Sequence, residues 1–318
     1  MRIGTNPEKD KKIKINYKQH RVIIPVYIPD SNEKYFKNLF DVFKVSINSL
    51  IKTTNSKQTN ITIINNNCNK DVTTYIDNLL EEKKIDKHLK MASNYGKLYT
   101  ILSEAKASYE ELITIADADV YYFNNWFKES VDIFNTFAKV GLVAPLPMPE
   151  LAYYSNNSLF TKELFNIKKS KIVSDIDFKL FKKSLGFKEV DIDSIVFKDQ
   201  LFLKKNDVVA VVGGGHFVAT YRKTVLDNLE NKKPIYVFKN RDEKDFLDEP
   251  IDKLGYYRVS TVKTFAYHLG NSIPDWIQDN NNIQEKNRIH FKQYQLKKTF
   301  IPYFLKKVIT KLYKKLRK

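Results

Sequence analysis

In the stretch EELITIADADVYYFNNW, residues 110–126, two carboxylates stand one small residue apart directly after an apolar run. Leu112 to Ala116 has the length and composition of a strand, so Asp117 and Asp119 emerge where a buried strand ends and its chain reaches solvent. Residues i and i+2 of an extended chain share a side, and two acids placed so repel unless something positive sits between them. Such a pair offers hard oxygen ligands to a divalent cation, Mg2+ or Mn2+, with positions left open for a diphosphate. The competing reading is local: a turn, or a cap for a helix starting near Asn124.

A second cluster lies downstream. Three of the nine glycines in the chain, Gly213 to Gly215, fall together in GGGHFVA, read here as a strand-to-helix junction. Glycines there let backbone approach a ligand closely, or they make a tight turn with His216 merely packed.

The elements that must position these residues follow a regular rhythm. RVIIPVYIP gives a strand from Arg21 to Tyr27, closed by Pro29. KYFKNLFDVFKVSINSLI then places Phe36, Leu39, Phe40, Phe43, Ile47 and Leu50 at helical spacing. NITIINNNCN reads as a second strand, VTTYIDNLLEEKK as a second helix, YGKLYTILSEAKASY as a third, and Glu111 to Ala116 as a further strand. Strands alternating with helices predict an α/β fold, a Rossmann-like, mostly parallel sheet flanked by helices, in which ligands gather at the C-terminal strand ends. Residues 145–205 read as an excursion over that sheet, and DVVAVVGGGHFVATYRKTVLDNL as strand, triple glycine and helix.

This ordered series resembles the nucleotide-sugar glycosyltransferases of GT-A fold, in particular the inverting family 2 type, over about residues 21–270. The resemblance rests on VIIPVYIP, SNYGKLYTILSEAKA, TIADADV, GGGHFVATYR and FLDEPIDKLGYYR. It implies that Asp119 ligates the ion directly, that Asp117 contacts the ribose or a metal-bound water, and that Ala118 lies against the donor. It also implies a third metal ligand at His268, for which a hydrogen-bonded core histidine is the alternative. Asp248 and Glu249 in FLDEP resemble the family's acidic pair, one of which takes the acceptor proton; acids before Pro250 also simply begin helices. Gly214, Gly215 and His216 resemble the glycine-rich lining of the donor sugar and acceptor. The base is expected against the first strand ends, near Pro25 and Tyr27. Asn66, within Asn65–Asn67, stands where family members usually carry an aspartate, which weakens uridine specificity, though an amide oxygen can accept the same bond. Lys97 meets a phosphate or lies in solvent, and solvent is favoured here. The resemblance divides the chain into a polar arm (1–20), a donor half (21–145) and an acceptor half (146–290).

The segment 291–318 is read on its own residues. Its last 22 positions carry nine basic residues and no acidic one, more than half of the net charge of +17. At about 100° per residue, Ile301, Leu305, Val308, Ile309, Leu312 and Leu316 share an arc, while Lys306, Lys307, Lys311, Lys314, Arg317 and Lys318 face elsewhere. A basic amphipathic helix of this kind suits an anionic membrane surface, or else packs on the domain with a solvated lysine face.

Composition sets the frame. A chain of 318 residues, 42% hydrophobic, buries a substantial core. The positive balance calls for an anionic partner, and the absence of a nucleic-acid module together with the apolar stripe argues against nucleic acid. A single cysteine, Cys68, an N-terminus without an apolar signal core and no run long enough to span a bilayer lead to the expectation of a cytoplasmic protein, peripheral on the inner membrane face. The sequons at Asn60 and Asn156 are then chance matches. The expected activity is sugar transfer from a nucleotide donor, with UDP-sugar as the family expectation, to a glycan or lipid-linked acceptor. A retaining transferase, or a non-enzymatic adaptor on the same scaffold, are the alternatives.

Overall fold

The first strand, β1 (His20–Val26), is buried along most of its length because its side chains alternate between two cores: Val22, Ile24 and Val26 enter one, Ile23 the other. The same alternation divides β2 (Thr59–Asn65) and β4 (Leu112–Ala116) between these cores. In this computed structural model the described residues are 3–12, 17–188, 199–230, 242–277, 289–294 and 301–316.

Helices cover both faces. α1 (Leu39–Thr53) brings Phe43, Ile47 and Leu50 to the first core, joined by Val72, Ile76 and Leu79 of α2 (Lys70–Glu81). α2 begins where the Asn69 side chain accepts from the Val72 amide at 3.0 Å. α3 (Lys97–Ala107) packs Leu98, Ile101, Leu102 and Ala105 on the opposite face. α4 (Trp126–Thr136) returns to the first. A fully buried histidine pins the sheet between these layers: His20 Nδ1 meets Thr59 Oγ1 at 3.0 Å, its Nε2 meets Thr114 Oγ1 at 2.7 Å, and its ring stacks on Phe127. Burial, with Arg21 beside it, holds the His20 pKa well below the ordinary 6.5.

The remaining strands are β3 (Lys87–Lys90), β5 (Val120–Tyr122), β6 (Val140–Ala144), β7 (Lys168–Ser170), β8 (Gln200–Lys205), β9 (Val208–Val212), β10 (Val218–Arg222), β11 (Tyr257–Ser260) and β12 (Ala266–His268). The large sheet has the order β3-β2-β1-β4-β10-β6-β11-β9-β8-β7. Tracing its pairings, β3, β2, β1, β4, β6, β11 and β8 run one way, and β10, β9 and β7 oppose them. The expected α/β sheet, mostly of one direction and flanked by helices, is therefore present.

Two expectations need correction. The middle segment does not cross over the sheet: β7 and the β8–β9 hairpin extend its edge, with α5 (Asn157–Lys162) and α6 (Asp175–Ser184) between strands. The triple glycine leads into β10, not a helix; the helix there, α7 (Lys223–Asp227), follows the strand. β10 enters antiparallel between β4 and β6, which requires its approach to come from the rim where β4 ends. A π-helical turn at Lys244–Asp248 runs into α8 (Glu249–Lys253), and the described chain finishes with α9 (Tyr303–Leu316). The arm residues 3–12 are exposed, and His20 belongs to β1, not to the arm.

Candidate functional site

β4 delivers its last residue, Ala116, to the rim, and the Asp117 amide then extends the ladder by donating to the Phe217 carbonyl at 2.8 Å. A turn at Ala118–Asp119 leads into β5, which pairs antiparallel with β12 so that His268 lies opposite Val120. The Leu269 amide closes this ribbon on the Asp119 carbonyl at 2.7 Å. His268 Nε2 is thereby set 3.2 Å from Asp119 Oδ2, with its Nδ1 toward the Ser184 carbonyl at 3.3 Å. One ligand atom from each of Asp117, Asp119 and His268 falls within 4.8 Å of the others.

This group suits a divalent cation. Asp119 Oδ1 is buried with no hydrogen-bond partner, an uncompensated acceptor of the kind a bound ion satisfies. Two carboxylates and an imidazole form a mixed O/N donor set, which suits Mn2+ better than the all-oxygen preference of Mg2+. Burial alone would lower the His268 pKa, yet its hydrogen bond to Asp119 and the charges of Asp119 and Asp117 raise it on balance.

The cluster forms one end of a cleft of about 610 Å3. Its lining includes Pro25, Tyr27, Asn66, Lys97 and Ala118 from the sequence reading, together with Asp117, Asp119 and His268. Tyr35, Phe36 and Asn94 also line it and were missed. Tyr35 and Phe36 read as the start of α1, but the helix begins only at Leu39, and the Phe36 ring packs edge-on against Tyr27. The Asn66 amide is engaged locally, donating to Asn94 Oδ1 at 2.7 Å and accepting from the Tyr95 amide at 3.0 Å.

The expectation of a solvated Lys97 is overturned. Its side chain is 21% exposed and pairs with Asp117, with Glu243 beyond at 3.6 Å. Burial acts to lower its pKa, and Asp117, Glu243 and Asp119 raise it on balance. Lys97 is thus the positive charge that lets the acidic pair coexist in the absence of an ion.

Gly214 and Gly215 do not line the cleft. A Cβ on Gly214 would stand 2.6 Å from the Val259 carbonyl oxygen, and one on Gly215 would stand 2.5 Å from Met148 Sδ. Their bareness serves packing against β11 and the turn at Met148, not donor approach. His216 is likewise outside the cleft lining. Asp248 is fully enclosed between Arg258 and His216, whereas Glu249 is 20% exposed and pairs with Lys253 and Lys307. Arg258, which sequence reading did not single out, is 1% exposed.

α9 docks on the domain through an unexpected face. Lys306, counted as membrane-facing, is 5% exposed and donates to Ser158 Oγ at 2.9 Å. Burial lowers its pKa, against the opposing influence of Asp252. Tyr303 donates to Asp252 Oδ2 at 3.0 Å, and Tyr313 packs against Phe160. The outward face carries Phe304, Leu305, Val308, Leu312 and Leu316, all exposed. Ile301 is half-buried, and Lys307 and Lys314 reach the rings of Tyr303 and Tyr153. Arg317 and Lys318 lie outside the described residues. Among the described residues no helix is long and apolar enough to cross a membrane.

No protein-family model and no curated protein matches the chain. Solved structures resemble it at low identity. One is the mannosyltransferase PcManGT from Pyrobaculum calidifontis in complex with GDP-Man and Mn2+, with 11% identity and a TM-score of 0.43. That similarity covers 77% of this chain and 55% of the other. Another is S. aureus TarS 1-349, with 10% identity, a TM-score of 0.43, and coverage of 79% and 60%. The same TarS fragment in complex with UDP-GlcNAc gives 11% identity, a TM-score of 0.42, and coverage of 78% and 58%. This chain therefore spans less than two thirds of the length of each.

Proposed function

We propose that the protein is a metal-dependent glycosyltransferase that moves a sugar from a nucleotide donor to a glycan or lipid-linked acceptor, with inversion. The observation that carries this reading is the Asp117–Asp119–His268 group at the end of a cleft with aromatic walls, one buried Asp119 oxygen lacking a partner. Tyr27, Tyr35 and Phe36 offer faces for a nucleobase, and Asn66 and Asn94 offer amides to its edge. Lys97 stands ready to meet a phosphate when an ion takes over the charge of Asp117. Asp117, Asp119 and His268 would hold Mn2+ or Mg2+, which when bound supplies Lewis-acid stabilisation to a departing nucleoside diphosphate. The donor half is 21–145, closed by His268 from the acceptor half, 146–290.

The exposed apolar stripe of α9, flanked by lysines, is the feature that favours an anionic membrane surface as partner, with the inner face of a bacterial membrane and surface polysaccharide synthesis as the setting. UDP is the expected donor nucleotide. A thermal-shift series with UDP, GDP, CDP and ADP, each with and without Mn2+, tests the core of this reading, since ligands of the folded state raise its apparent stability. A rise that requires both Mn2+ and one of these nucleotides is expected; no rise with any of them overturns it.

A further inference from the structure

The cleft accounts for the donor and the ion but not for the proton that an acceptor hydroxyl must lose. Asp248 is 0% exposed, with Oδ1 charge-paired to Arg258 Nη2 at 3.0 Å and Oδ2 3.1 Å from Nδ1 of His216. An enclosed carboxylate cannot touch an acceptor. His216 can, because its side chain is 33% exposed, and among the described residues no side chain pairs with its Nε2.

Position supports the same choice. His216 directly precedes Phe217, whose carbonyl accepts from the Asp117 amide at 2.8 Å and whose ring centroid lies 5.2 Å from that of His268. The side chain therefore belongs to the rim that carries the metal group, yet it stays out of the lining of the nucleotide cleft. Inversion needs this arrangement, because the acceptor attacks from the side of the sugar opposite the diphosphate.

We propose that His216 is the catalytic residue that deprotonates the acceptor, with Asp248 as a positioning residue acting through it. This rests on the glycosyl-transfer reading above. Asp248 accepts the Nδ1 proton of His216, which fixes the tautomer that leaves an Nε2 lone pair toward solvent. Arg258 in turn holds Asp248: its Nη2 also donates to the Gly214 carbonyl at 2.5 Å and its Nη1 to the Tyr154 carbonyl at 3.0 Å. In the step itself the acceptor O–H proton passes to Nε2 as the acceptor oxygen bonds to the anomeric carbon. The bond from that carbon to the phosphate oxygen breaks, its electron pair leaves with the nucleoside diphosphate, and the imidazolium returns its proton to water.

The test uses the full chain with uniformly 15N-labelled histidine, and turnover of UDP-GlcNAc and GDP-mannose with Mn2+. The wild type is expected to show His216 protonated at Nδ1, and Asp248→Asn to lose that preference. His216→Gln is expected to cut turnover by about 10²–10⁴-fold with donor KM and the Mn2+-nucleotide thermal shift unchanged. Where Asp248→Asn folds, adding it to His216→Gln costs little more, as for residues acting as a unit. An Nε2-protonated wild-type His216, or turnover in His216→Gln within about twofold of wild type, overturns the dyad. Absence of any Mn2+-dependent nucleotide shift sinks the transferase reading instead, and the tautomer measurement still judges the dyad separately.

Discussion

His268 Nε2 stands 3.2 Å from Asp119 Oδ2 because β12 returns antiparallel to β5 and places the two residues on adjacent rungs. Asp119→Asn removes a formal charge from this group while keeping the side chain's shape. Manganese at 100 times its dissociation constant is expected to stabilise the wild type by about 2.7 kcal/mol and this variant not at all. Melting curves with and without the ion, alongside unchanged far-UV circular dichroism, decide the matter; equal shifts in both proteins would refute the site.

Lys97→Gln tests the internal counter-charge. It leaves Asp117, Asp119 and Glu243 facing one another with only His268 between them and the ion. Breaking a buried pair costs about 3–5 kcal/mol, and the partial exposure of Lys97 reduces this to about 1–3. Urea midpoints should drop in the metal-free variant and recover more with Mn2+ than the wild type gains. A midpoint unmoved by the substitution would show that the pair carries no charge balance.

His20 sets a pH dependence. Its pKa in the fold lies well below 6.5, so the unfolded chain takes up a proton that the native protein does not as pH falls through 6.5. The unfolded state then binds more protons, and stability is lost toward acid pH by up to about 1.4 kcal/mol per pH unit for one such group. His20→Gln should flatten the difference in urea stability between pH 7 and pH 5. An unaltered pH profile in that variant would contradict the assignment.

The two faces of α9 should behave oppositely. Leu305→Ser combined with Leu312→Ser alters exposed positions, so the melting temperature should hold while flotation with vesicles rich in phosphatidylserine is lost. Lys306→Ala removes a buried donor from Ser158 and should lower stability by about 1–3 kcal/mol. Undiminished vesicle binding by the double serine variant would rule out the outward face as a lipid contact.

Much of this fold was legible because burial on both faces leaves a plain mark: Val22–Val26 and Leu112–Ala116 are nearly continuous apolar runs, and α1 to α3 carry their stripes at helical spacing. β7, by contrast, is Lys-Lys-Ser on an exposed edge, and β3 is Lys-His-Leu-Lys, so neither carries a hydrophobic signature. The glycine cluster misled because close packing and close ligand approach both call for a missing Cβ, and only the positions of Met148 and Val259 tell them apart. Asp117 and Asp119 were readable from local context. The pairing of Lys97 with Asp117 and the enclosure of Asp248 by Arg258 depend on contacts between distant segments, which spacing does not encode. The direction in which α9 docks was hidden for another reason: its buried face carries Tyr303, Lys306, Thr310 and Tyr313, the residues that a hydrophobic pattern assigns to water.

The β5–β12 ribbon has two strands of three residues, and its stability comes from a small satellite cluster of Tyr121, Tyr267, Leu269, Ile277 and Val42, outside the two main cores. Two-stranded pairings are marginal by themselves, and regions with few apolar contacts open well below the cost of global unfolding. The residence time of a captured ion is then governed by how often this latch comes undone, and hydrogen exchange at the Leu269 amide is the clock that would read it.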